Sequence, residues 1–193
     1  MTKVIVSMSM SLDGFAAGPN VSVAHAMGER GERLHTWLFE AQPGGADAEQ
    51  ARELTARVGA VVTGRRTFEV GIGHWGATPY PGPCFVVTHH ERPDLPQEHG
   101  TFTFVTDGVA RAVELARAAA GDRDVLVLGG ASLVQQCLRA GLVDEIRIQL
   151  VPVLLGAGTR LFEDLGAEHI ELVGTGVVAS SAVTHLRFAP AGR

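Results

Sequence analysis

Two stretches of the chain combine residue types able to grip an anion. Val125-Leu126-Val127-Leu128-Gly129-Gly130-Ala131-Ser132-Leu133 runs from an apolar strand through two glycines into the start of a helix. Glycine lets a ligand approach the backbone, and the N–H groups of a first helical turn present partial positive charge to a phosphate. Ser132 is expected to cap that helix and to donate to a phosphate oxygen. Val62-Thr63-Gly64-Arg65-Arg66-Thr67-Phe68-Glu69 repeats the pattern, with two guanidinium groups and a hydroxyl at its mouth. Arginine's planar fork matches phosphate oxygens, such as the 2′-phosphate that separates NADP from NAD. Cations in a first helical turn oppose the helix dipole, which argues against a purely structural purpose. Each stretch alone also fits an ordinary βα turn, and the arginines a solvated pair. Two such bends at strand C-terminal ends of one open α/β sheet stand where ligands bind.

Weaker candidates surround them. Ser9-Met10-Ser11-Leu12-Asp13-Gly14-Phe15 leaves the first strand, and Asp13 is the carboxylate expected near a substrate as proton relay or hydroxyl anchor. An Asp-Gly pair also shapes turns without any chemistry. Val151 to Arg160 is a flexible loop after a strand, and it is expected to close over a substrate with Gly156 in contact. His35 and Trp37, on one helical stretch, and Gln149, on the non-apolar side of its strand, complete the substrate candidates. His35 equally suits a surface or capping histidine, and Trp37 plain core. Gly71-Ile72-Gly73-His74-Trp75-Gly76 matches G-x-G-x-x-G literally, but Pro79, Pro81 and Pro83 follow and no helix opens, so the dinucleotide fingerprint is rejected. There is no G-x-S-x-G elbow, and Lys3, the only lysine, rules out a Walker A loop. His89-His90 lacks metal-ligand spacing to Cys84, and no metal site is expected.

The elements that must hold these groups alternate. Strands are expected at Lys3 to Met8, Gly59 to Thr63, Cys84 to Thr88, Thr101 to Val105, Asp124 to Leu128 and Glu145 to Val151. Helices are expected at Glu29 to Ala41, from Asp47 through Val58, from Arg65 for a turn, at Val109 to Ala120 and at Ala131 to Ala140. Gly71 to Pro83 is read as a loop because of its Gly and Pro content. Asp124 to Leu128 is continuously apolar, as in the middle of a parallel sheet. Glu168 to Val178 and Ser181 to Phe188 read as a closing antiparallel pair. The fold class is α/β, a mainly parallel central sheet flanked by helices with an antiparallel C-terminal hairpin. Residues 1–193 form one domain, with no linker.

With 193 residues, 46% apolar and 19% charged, the chain can build a substantial core. Its net charge of −5 argues against nucleic acid and anionic membranes as partners. No signal peptide or run of roughly 18 apolar residues occurs, so no membrane association and a cytoplasmic location are expected. Cys84 and Cys137 read as small buried hydrophobes.

In this order and spacing, these stretches resemble the dihydrofolate reductase-like superfamily, and most closely the RibD C-terminal reductase family, over nearly the whole chain. The resemblance implies that Gly64, Arg65, Arg66, Thr67 and Phe68 hold the adenosine phosphates of NADPH, with Thr88 beside the adenosine. It implies that Gly129, Gly130, Ala131, Ser132 and Leu133 lie against the pyrophosphate. Ser11-Leu12-Asp13-Gly14, Ala140-Gly141-Leu142-Val143-Asp144-Glu145 and Pro152 through Gly158 are similar to the riboflavin-pathway reductases. Where those reductases commonly carry Lys and Glu, this chain has Phe15 and Leu128. Aligning Trp37 with the pterin-pocket helix of folate reductases puts Leu34 where those enzymes have a carboxylate.

The expected protein is therefore an NADPH-dependent oxidoreductase transferring a hydride to a small heterocyclic or imine substrate. The family's named reaction reduces 5-amino-6-(5-phosphoribosylamino)uracil in riboflavin biosynthesis. The alternatives are a dihydrofolate or pterin reductase and a non-catalytic NADPH-binding protein. Related reductases are often homodimers, so a homodimer formed through the C-terminal strands is expected.

Overall fold

The apolar strand β7 (Asp124–Gly129) lies at the centre of the sheet, between β1 (Val4–Ser11) and β3 (Val58–Gly64), and runs parallel to both. The computed structural model describes residues 2–75, 79–80 and 82–192. From β3 the sheet continues through β4 (Cys84–Val87), β6 (Gly100–Val105) and the short edge strand β5 (Leu95–Gln97). From β1 it continues through β8 (Glu145–Val151), β11 (Thr184–Pro190) and β10 (Leu172–Ala179). β8 is parallel to β1, whereas β11 and β10 are antiparallel. The mainly parallel sheet and its antiparallel C-terminal hairpin thus stand as expected. A separate two-stranded sheet pairs β2 (Phe15–Ala17) with β9 (Thr159–Arg160).

Both faces of the sheet are covered, and strand alternation divides the core between them. Val4, Val6, Val62, Val127, Ile146 and Ile148 pack with α4 (Gly108–Ala120) and α5 (Ala131–Arg139). Ile5, Val61, Val86 and Leu126 pack with Leu54 of α2 (Ala46–Arg57) and Phe68 of α3 (Arg65–Trp75). Each fully buried aliphatic side chain contributes about 1.5–3 kcal/mol from water exclusion. Cys84 and Cys137 are buried free thiols, and burial pushes them up to about 12 and about 11, so they behave as apolar packing. Among the described residues no helix is long and apolar enough to cross a membrane.

Two sequence expectations require correction. Gly71 to Trp75 is not loop but the second half of α3, while Gly76 to Thr78 and Pro81 of the expected loop lie outside the described residues. Tertiary packing overrides the glycines here. Phe68 meets Phe102 and Phe104 edge-on, and Trp75 stacks on Phe102 with ring centroids 6.3 Å apart. Gly71 is required by that stack, because a Cβ there would fall 2.2 Å from the Trp75 ring. Gly71 to Trp75 of the literal G-x-G-x-x-G therefore lie inside a helix rather than between a strand and one, and Gly76 lies outside the described residues.

The second correction concerns Glu29 to Ala41, which forms a 3-10 turn (Gly31–His35) and then the four-residue helix α1 (Thr36–Phe39). Helix cannot begin earlier because Arg30 is left-handed (φ 62°) and the Glu29 N–H is bonded to the Pro19 carbonyl. Leu34 and Trp37 of this stretch are nevertheless buried, whereas Leu38 is exposed.

Candidate cofactor and substrate cleft

Because β3 and β7 are neighbours, the helices that follow them, α3 and α5, open side by side. Thr63 donates its hydroxyl to the Gly129 carbonyl at 3.2 Å. A Cβ on Gly64 would stand 3.6 Å from the Gly130 nitrogen, and one on Gly130 would stand 3.1 Å from Thr67 Oγ1. The two bends thus form one cradle. Gly129 (φ 110°) adopts the backbone that only glycine tolerates well, and the Gly129–Gly130 peptide is cis. Gly130, Ala131, Ser132 and Leu133 line the cleft, whereas Gly129 is buried beneath them. The cap of α5 is Gly130, with no side-chain cap bond. Ser132 instead sits within the first turn and accepts a bond from Gln136 Nε2, which corrects its expected capping role.

Gly64, Arg65, Arg66, Thr67 and Thr88 line the same cleft, which has a volume of about 1120 Å³. That exceeds the roughly 300–1,000 Å³ of an ordinary small-ligand pocket. Arg65 pairs with Glu69 at 2.9 Å, and Arg66 donates to the Val21 carbonyl at 3.0 Å. Both guanidinium groups are exposed, so these contacts are exchangeable. Thr88 is buried, and its hydroxyl accepts the His90 N–H. Three lining residues on this side, His89, Thr106 and Gly108, were not anticipated. The signal was present for Gly108, since Val105-Thr106-Asp107-Gly108 joins β6 to α4 as a third strand–helix bend.

The other part of the cleft lies across β1 from the bends. After Ile5, period-two alternation turns Ser7 and Ser9 to the face covered by α2. The register then aligns Ser9 with Gln149 and His185, and Ser7 with Arg147 and Arg187, in two rows crossing β1, β8 and β11. All six residues line the cleft, Ser9 as a buried group at its wall. Trp37 Nε1 donates to Ser9 Oγ at 2.9 Å, and Gln149 Nε2 donates to Ser7 Oγ at 3.2 Å. The Trp37 ring edge-packs on His185, 5.1 Å between centroids.

Helix α2 supplies the polar partners of these rows. Asp47 accepts from His185 at 2.8 Å, and Glu53 accepts from both Arg147 and Arg187. Glu145 accepts from Arg147 at 2.6 Å. Burial pushes the Glu53 and Glu145 carboxyls up, but their arginine partners outweigh it and hold both below the ordinary carboxylate value. His35 also lines the cleft; burial pushes its imidazole down, and its buried Nδ1 has no hydrogen-bond partner among the described residues. His35, Trp37 and Gln149 are therefore brought together. His185, Arg147 and Arg187 were missed as site residues, because nothing in a single strand's sequence says which polar side chain α2 will meet.

Asp13 and Gly156 are not brought there. Among the described residues lining the cleft neither appears. Asp13 accepts from Ser11 Oγ at 2.6 Å, from the Leu155 N–H at 3.1 Å and from the Gly156 N–H at 2.8 Å. These bonds, with Ser11 first, hold its carboxyl down at about 2. The carboxylate thus ties the β1–β2 turn to the loop after β8, and Asp13 stands apart from the described residues that line the cleft. Among the described residues no group of three or more His, Cys, Asp or Glu is arranged to hold a metal.

Comparison with known proteins accords with this geometry. Two Bacillus subtilis proteins, both carrying the description uncharacterized protein, are similar over most of their length. YwjB is 29% identical over 175 residues, covering 90% of each chain. YyaP is 24% identical, covering 94% of this chain and 92% of its own. A putative riboflavin biosynthesis protein from Shewanella sp. PV-4 superimposes with a TM-score of 0.75 at 24% identity, covering 98% of this chain and 99% of its own. The Thermotoga maritima diaminohydroxyphosphoribosylaminopyrimidine deaminase/5-amino-6-(5-phosphoribosylamino)uracil reductase superimposes with a TM-score of 0.66 at 15% identity. This chain covers 56% of that longer protein and is itself covered over 98%. The architecture shared with these structures is the dihydrofolate reductase-like fold. The RibD C-terminal domain matches residues 2–186, so the chain belongs to the RibD C-terminal domain family.

Proposed function

We propose that the protein is an NADPH-dependent reductase of a small heterocyclic or imine substrate. The observation that carries this reading is the joining of the two glycine bends into one cradle, Thr63 hydroxyl to Gly129 carbonyl. The residues present fit the coenzyme. The first-turn N–H groups at Ala131 to Leu133 would take the pyrophosphate, and Arg65, Arg66 and Thr67 the adenosine phosphate, with Thr88 beside the adenosine. Bound there, the coenzyme supplies a hydride. The protein's own contribution is to hold donor and acceptor in register and to keep water from between them. Trp37, Leu54 and Met8 line the cleft as apolar surface, and Ser7 and Gln149 offer hydrogen bonds that orient a ring. The pyrimidine ring of the family's named substrate, 5-amino-6-(5-phosphoribosylamino)uracil, is the starting point for assays, offered with and without its phosphate. Calorimetric titration with NADPH and NADH tests the reading: NADPH is expected to bind at least tenfold more tightly, and absence of heat with NADPH rejects it.

A second reading, a protein that binds NADPH without turnover, draws on the position of Asp13 outside the cleft. Phe15, at a position where related reductases commonly carry Lys, lies buried beneath the Arg160 guanidinium, 4.8 Å from the ring centroid. NADPH binding with no oxidation across pterins, pyrimidines and imines would favour it.

For assembly, we propose a homodimer through the C-terminal strands. β10 ends the sheet with an unpaired edge and exposes Leu172, Val173 and Val177. Natural edge strands are rarely left apolar and uncovered. A sedimentation mass near twice the chain's 20.3 kDa is expected, and a mass near 20.3 kDa rejects it.

A further inference from the structure

We infer that the substrate compartment takes an uncharged, flat heterocycle with an amide edge and excludes a phosphorylated one. The inference rests on the reductase reading and names the substrate class of that same cleft. Its first support is the state of the cations. Among the described residues, the guanidinium groups in the wall on this side of the cleft, across β1 from the bends, are those of Arg147 and Arg187. Arg147 is 3% exposed and held between Glu145 at 2.6 Å and Glu53 at 3.0 Å. Arg187 is held by Glu53, which it meets with two nitrogens, and by Gln50. A phosphate reaching either arginine must therefore displace Glu53 or bind beside it. Breaking a buried pair leaves an uncompensated charge, and a dianion beside an ionised carboxylate is repelled.

The second support is what the compartment offers in place of charge. Ser9 Oγ is already an acceptor for Trp37 Nε1, and Ser7 Oγ for Gln149 Nε2. The hydroxyl hydrogen of Ser7 and the amide oxygen of Gln149 are left, one donor and one acceptor on adjacent strands. That pair complements the C=O and N–H of a pyrimidine or pteridine amide edge. The Trp37 indole, 7% exposed and pinned by its own bond to Ser9, supplies a rigid apolar wall for the ring. A neutral ring thus satisfies the polar groups without disturbing the ion pairs behind them.

The test is calorimetry on the full-length protein saturated with NADP⁺, using 5-amino-6-ribitylaminouracil and its 5′-phosphate, which differ only in the phosphate. The phosphate-free compound is expected to bind at least tenfold more tightly. Equal or tighter binding of the phosphate, or no binding of either, overturns the inference. Glu53→Gln is expected to raise affinity for the phosphate at least tenfold with NADP⁺ affinity unchanged. Gln149→Leu, which keeps the ion pairs and serves should Glu53→Gln not fold, is expected to weaken the neutral ring at least tenfold; unchanged affinity rejects the amide-edge assignment. Loss of NADP⁺ binding itself would sink the reductase reading, whereas NADP⁺ binding with preference for the phosphate sinks only this inference.

Discussion

Thr63, fully buried at the end of β3, donates its hydroxyl to the carbonyl of Gly129 at the end of β7, and this bond joins the two halves of the cradle. Thr63→Val keeps the shape and removes the donor, leaving a buried carbonyl short of a partner. The expected cost is about 1–3 kcal/mol of stability, read from the urea midpoint. Calorimetry is expected to show weaker NADPH binding as well, because the bends lose their shared register. A variant with unchanged stability and affinity would deny the bond any role.

Arg65→Ala with Arg66→Ala removes the guanidinium groups at the mouth of α3. Hydrogen bonds to charged groups contribute about 1.5–3 kcal/mol each, so NADPH affinity is expected to fall by ten- to a hundredfold or more. NADH affinity, lacking the 2′-phosphate, is expected to change little. Equal losses for the two coenzymes would place the arginines on some other part of the nucleotide.

Gly71→Ala reverses the usual helix rule. In an exposed helix interior the change stabilises by roughly 1 kcal/mol. Here the new Cβ would fall 2.2 Å from the Trp75 ring, and the ring must leave its stack on Phe102. A loss of about 1–3 kcal/mol is expected from such overpacking. Thermal melting reads it out, and a higher melting temperature would contradict the Trp75 packing.

Asp13 makes stability depend on acid. Its carboxyl is held down at about 2, chiefly by the Ser11 hydroxyl, against 3.8 for the ordinary group. A depressed folded-state value means the contribution is fully present above pH 3.8 and is lost as pH falls through about 2. The wild-type urea midpoint is therefore expected to fall more between pH 4 and pH 2 than that of Asp13→Asn, which lacks the titration. Asp13→Asn is also expected to leave NADPH affinity unchanged, since its bonds go to the loop at Leu155 and Gly156. Parallel pH profiles would assign the acid sensitivity elsewhere.

The two bends of the proposed cofactor cradle were legible in the sequence because they depend on local chemistry. A strand ending in glycine before a helix exposes backbone N–H groups wherever it occurs, so Gly64 to Thr67 and Gly130 to Leu133 could be read without a fold. The polar alternation of Arg147 and Gln149 was equally visible, because strand period two assigns a face. Helix α3 beyond Val70 was not legible. Its glycines argue for a loop, and only the aromatic stack of Phe68, Trp75 and Phe102 makes helix the better state. The loop-tying bonds of Asp13 were not legible for a similar reason: beyond Ser11, its partners lie about 140 residues further along the chain, at Leu155 and Gly156, and its sequence neighbours do not indicate them.

By itself the sequence determined the α/β order, the two glycine-marked strand–helix bends and the polar side of β8, all properties of a few consecutive residues. Strand order was left to the tertiary structure. It set β3 beside β7, so that two bends became one cradle, and β11 beside β8, so that His185 and Arg187 joined Gln149 and Arg147 under α2. Those contacts span more than a hundred residues in several cases, and what decides them is burial of the two sheet faces as a whole rather than any local preference.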